Sequence, residues 1–121
     1  MYIEGREIPP FAEPAFEDDL ELHEVYFSVH FVDTDMLVPE IMTMVYVGKD
    51  IEKIGDKKHY FQDISSHRQG VRFDNVEIAK PPCSPVFVVS ECKNGKVNNI
   101  YSFSTMLNEL LKCSLRQDQA R

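Results

Sequence analysis

At 121 residues, with 43% apolar and 27% charged side chains, the chain has the make-up of one globular domain that can build a core without staples. Its formal net charge of −7 repels phosphate, which argues against nucleic-acid binding, and no apolar run is long enough to span a bilayer. The cysteines, Cys83, Cys92 and Cys113, are odd in number and lack a short-spaced pair, which argues against a disulfide framework and a zinc ribbon; with the polar opening residues 1–7 they point to a reducing cytoplasm.

The charge is unevenly spread. Residues 1–40 carry eleven acids and one base, Arg6, for a net −10, against +3 for residues 41–121. The plain expectation is a solvated acidic surface, partly docked on the chain's own bases; the functional one is a patch for a basic partner protein. Residues 1–20 read as an extended arm. Pro9, Pro10 and Pro14 exclude a helix there; Phe11 and Phe16 are either apolar anchors that pin the arm to the body or to a second subunit, or incidental aromatics in a loose terminus. Residues 21–121 form the domain.

Residues 21–31 alternate as a strand, with Val25, Phe27, Val29 and Phe31 on the core face and Glu24, Tyr26, Ser28 and His30 on a wetter one. Residues 37–47 give a second strand after the turn-prone Asp33-Thr34-Asp35, and residues 59–64 a third. Residues 65–70 read as a polar loop and residues 71–73 as a fourth strand, closing a hairpin.

The strongest local signal lies in residues 85–116. Asn94-Gly95 between two strand-like runs predicts a type I′ hairpin, because both central positions need φ > 0. The register then pairs Lys93 with Lys96, Cys92 with Val97, Glu91 with Asn98, Val89 with Ile100, Val88 with Tyr101 and Val86 with Phe103. A helix follows. Ser102 or Ser104 can cap it, and Met106, Leu107, Leu110, Leu111 and Leu115 make one apolar stripe, with Asn108 and Lys112 on the wet side. The sum is an α+β fold: a largely antiparallel sheet of about six strands with one C-terminal amphipathic helix packed on it.

No short catalytic motif is present. His30, Asp33 and Asp35 would suit a base with an orienting carboxylate, although an acidic turn ending a strand explains them more simply. His59, Asp63 and His67 carry metal-ligand chemistry at four-residue spacing, yet on a strand His59 and Asp63 stand about 13 Å apart, too far to share an ion. Lys49, Lys53, Lys57, Lys58, Arg68 and Arg72 form a basic zone. The leading expectation is a non-catalytic interaction or accessory protein that forms a homodimer, needs no cofactor and uses its acidic N-terminal surface on a protein partner. The alternative is a small-molecule-binding domain or small enzyme. Its pocket would lie between sheet and helix, lined by Met42, Met44, Tyr46, Tyr101 and Phe103, with His30 or His59 as the polar group.

Overall fold

Period-2 alternation builds the walls of the fold, and one asparagine in the left-handed region decides how they close. A computed structural model of the chain describes residues 2–3, 6–7, 14–52, 55, 57–79 and 84–120. The short strands β1 (Tyr2–Ile3) and β2 (Arg6–Glu7) pair with each other outside the main sheet. The main strands are β3 (Val25–Phe31), β4 (Pro39–Lys49), β5 (Lys58–Asp63), β6 (Phe87–Lys93), β7 (Lys96–Val97) and β8 (Ile100–Tyr101). They form one six-stranded antiparallel sheet in the order β7-β6-β5-β4-β3-β8. The helices are α1 (Ile64–Arg68) and α2 (Phe103–Ala120). The α+β architecture read from the sequence is the observed one.

Asn94 and Gly95 both take φ > 0, at 54° and 77°, and the turn pairs Lys93 with Lys96 and Cys92 with Val97 as expected. The hairpin does not run on. Asn99 adopts φ 62° and swings the chain across, so Ile100 and Tyr101 pair with Ser28 and Phe27 of β3 instead of with β6. That crossing brings the two ends of the sheet together. Residues 14–17 fill the join: Ala15 N–H donates to the Ile100 carbonyl (2.7 Å), Val97 N–H to the Ala15 carbonyl (2.8 Å) and Glu17 N–H to the Gly95 carbonyl (2.7 Å). The sheet is nearly a barrel. Its unclosed seam runs along residues 87–90, which among the described residues pair only with β5.

Closure changes which faces are buried. Tyr26, Met44, Tyr46, Phe61, Val97 and Ile100 form the barrel core, so the face of β3 expected to be wet is an interior one. Phe27 and Phe31 point the other way, toward α2, where the Phe27 and Phe103 rings lie 5.6 Å apart. Residues 65–73 also depart from expectation. Asp63 accepts the Ser66 N–H (2.9 Å) and starts α1 where a loop was expected. The apolar-rich trio 71–73 is not a strand. Buried Gln62 donates to the Val71 carbonyl (2.7 Å), and Phe73 opens a 3-10 segment, Phe73–Ile78, and stacks on Tyr60 and Phe87.

The helix α2 turns only part of its apolar row inward, with Leu110 and Leu111 half-buried. Met106, Asn108 and Cys113 are buried, with Asn108 only 4% exposed, whereas Phe103, Leu107 and Leu115 are 59%, 36% and 41% exposed. Asn108 therefore lies off the wet side assigned to it. The helix also supplies donors to carbonyls of the turn between β3 and β4. Arg116 Nε donates to the Met36 carbonyl (3.0 Å) and Gln117 Nε2 to the Leu37 carbonyl (2.7 Å). The Cys113 thiol reaches the same two carbonyls at 3.6 and 3.5 Å.

Candidate functional site

A cluster of polar side chains lies at the barrel end closed by residues 15–19. His59, on β5, is 1% exposed and has both ring nitrogens engaged. Nδ1 lies 2.9 Å from the Tyr46 hydroxyl and Nε2 lies 3.1 Å from Glu17 Oε1. A carboxylate only accepts, so Nε2 carries the proton toward Glu17, and Nδ1 accepts from the Tyr46 O–H. The same Glu17 oxygen accepts from Lys49 Nζ at 2.8 Å, and Oε2 accepts from the Cys92 thiol at 3.3 Å.

The charges follow from this geometry. Hydrogen bonds from Lys49, Cys92 and His59 hold the Glu17 carboxyl down at about 2. The same carboxylate raises the Lys49 ammonium. Burial, then the Glu17 hydrogen bond and charge, push the Cys92 thiol up, which disfavours a nucleophilic thiolate. Burial also raises the Tyr46 phenol. Each side chain in this cluster has a protein partner. The cluster clamps the 3-10 turn Glu17–Asp19 to the barrel and leaves no imidazole nitrogen for a substrate.

The other sequence candidates are dispersed. His30 Nε2 lies 3.5 Å from Glu40 on the exposed side of the β3–β4 hairpin. Asp33 accepts the Leu37 and Val38 N–H groups, which lower its carboxyl, and Asp35 is exposed. Asp63 caps α1 and accepts the Val86 N–H at 2.8 Å; burial works to raise its carboxyl, but the Ser66 and Val86 bonds outweigh it. His67 meets His23, not His59 or Asp63. Among the described residues no three His, Cys, Asp or Glu side chains converge as a metal site. Met44 and Tyr46 lie in the barrel core, while Tyr101 pairs with Phe27 on the α2 side, where burial and then Glu109 raise its phenol. Phe11, Lys53, Cys83 and the prolines at 9, 10, 81 and 82 lie outside the described residues.

A cleft of about 420 Å³ opens at the seam, lined by Ser28, Lys58, Ser90, Glu91, Asn98 and Asn99 among others. No helix among the described residues is long and apolar enough to cross a membrane. Glu17 stood in the acidic run without distinction, because its partners His59 and Cys92 lie 42 and 75 positions away. No family model, no curated protein and no solved structure matches this chain.

Proposed function

We propose that the chain is a non-catalytic interaction protein that works as a homodimer, with α2 as its self-association surface. The observation that carries this reading is the split apolar row of α2: its polar side chains bond the turn between β3 and β4 while Phe103, Leu107 and Leu115 stay exposed and Leu111 is half-buried. Apolar side chains stepping by four along a helix about 27 Å long are the geometry of a helix-pairing seam. A two-fold antiparallel match centred on Leu111 sets Leu107 against the partner's Leu115. The residues of α2 that carry charge are Glu109, Lys112, Arg116 and Asp118, two of each sign, so self-pairing meets no net repulsion. The strip is narrow, which suits a weak, micromolar dimer. Asp18, Asp19, Glu21 and Glu24 remain exposed beside the docked Glu17 and offer an acidic surface to a basic partner protein, in a cytoplasmic setting.

Sedimentation velocity over a hundredfold concentration range tests the dimer. The wild type should shift from monomer to dimer, and Leu107→Glu with Leu115→Glu should stay monomeric at unchanged melting temperature. A wild type that is monomeric throughout, or a double variant that still dimerises, removes the proposal. A second reading, a small-ligand-binding domain, draws on the polar seam cleft. It requires a ligand mass in native mass spectrometry that disappears with Ser90→Leu.

A further inference from the structure

His23 and His67 come together from the entry to β3 and the end of α1, outside the Glu17 cluster. His23 sits just before β3 with φ 66°, a left-handed conformation uncommon for a side chain of this size. Its N–H donates to the Tyr46 carbonyl (2.8 Å), which fixes the strained residue to the barrel. His67 occupies the last turn of α1, which Asp63 starts and which the Val71 N–H closes by donating to the Ser66 carbonyl (3.1 Å). Two separately anchored backbones thus present two imidazoles to each other. His23 Nδ1 and His67 Nε2 lie 3.1 Å apart, with ring planes tilted 43°.

Two imidazole nitrogens at this spacing hold either a shared proton or a metal ion. Zinc–nitrogen bonds of roughly 2.0–2.1 Å at a tetrahedral angle place two ligand nitrogens about 3.3 Å apart. The observed spacing differs from that by only a few tenths of an ångström, within reach of side chains at the surface. His23 is exposed and His67 half-buried, so an ion could reach both nitrogens from solvent. Arg72 is the opposing charge, and its guanidinium is turned to the His67 and Val71 carbonyls at 2.9 and 2.7 Å. Exposed Glu21 and Glu24 flank His23 in sequence and offset it.

We propose that His23 and His67 form a two-histidine site for a borderline transition-metal dication such as zinc, completed by water. The ion would staple the segment entering β3 to α1, and its open positions would let it exchange or accept a further ligand. This proposal stands apart from the dimer reading.

The test is calorimetric titration of zinc chloride into the full chain, stripped with chelator and kept reduced. Variants are His23→Asn, which tolerates the left-handed backbone, His67→Gln, and His30→Ala as a control. One zinc per chain should bind wild type and the His30 variant alike, and each of the other two should weaken it at least tenfold while melting as a folded protein. Saturating zinc should raise the melting temperature of wild type and not of those two. Absence of zinc binding, or binding that survives both His23→Asn and His67→Gln, overturns the proposal; the survival would place the ion elsewhere, on a cysteine for example.

Discussion

The barrel wall and helix α2 obey the same rule to different ends. In the wall, alternation delivers Tyr26, Met44, Tyr46 and Phe61 to a closed interior. In α2, the 3.6-residue period is equally clear, yet its apolar row is split: Met106 is buried, Leu110 and Leu111 are half-buried and Phe103, Leu107 and Leu115 stay exposed, while Asn108, Cys113, Arg116 and Gln117 also face the body. A period identifies an element and its stripe. It does not say what the stripe packs against, because unsatisfied carbonyls compete with apolar surface for the same helix. Burying a leucine side chain is worth about 1.5–3 kcal/mol. Here the Met36 and Leu37 carbonyls claim three side chains of α2, in exposed and half-buried contacts worth about 0.5–1.5 kcal/mol each.

The wall should respond most strongly to substitution. Phe61 is fully buried, so Phe61→Ala should destabilise by about 3–5 kcal/mol in urea denaturation. A loss under about 1 kcal/mol would mean the barrel interior is not the core. At the junction, Asp63 serves both the Ser66 and the Val86 N–H groups. Asp63→Ala should cost about 1–2 kcal/mol and speed hydrogen exchange in α1. At the hairpin turn, a methyl group added to Gly95 would meet open space, but φ there is 77°, so Gly95→Ala should cost about 1 kcal/mol from backbone strain alone.

The Glu17 clamp is tested by acid. Its carboxyl sits at about 2 in the folded chain against an ordinary 4.5. A depressed folded value means the contribution is present above 4.5 and is lost as pH falls toward 2. Glu17→Gln should therefore lower the melting temperature near neutral pH and flatten its decline across that acid window. Parallel acid limbs for the two proteins would argue that the contact is idle. The smallest expected effect is on α2: Leu115→Ser should change monomer stability by less than about 0.5 kcal/mol, since the side chain is exposed.

What the sequence made legible was local. Asn94-Gly95 dictated its turn, and the alternation in 25–31 and 39–49 placed two strands to within a few residues. What it hid was pairing at a distance. The Asn99 bend matters only because β8 finds β3, about seventy positions earlier, which no local pattern announces. Val71-Arg72-Phe73 looked like a strand because β-branched and aromatic residues favour one; the Asp63 cap and the Gln62 amide bind that chain differently. Of the candidate histidines, His59 and His67 each form a close contact, but with Glu17 and His23, partners separated by 42 and 44 positions.

Pairing through α2 faces its hardest trial in oxidative cross-linking of Leu111→Cys, in a background where Cys83, Cys92 and Cys113 are serine. An antiparallel pair of α2 helices centred on this residue brings it against its own copy. A disulfide-linked dimer should form in high yield at micromolar concentration, and none should form for Ser104→Cys, which lies near the end of the helix. A Leu111→Cys chain that stays monomeric under oxidation, while sedimentation shows dimer, would place the interface elsewhere and contradict the reading of α2.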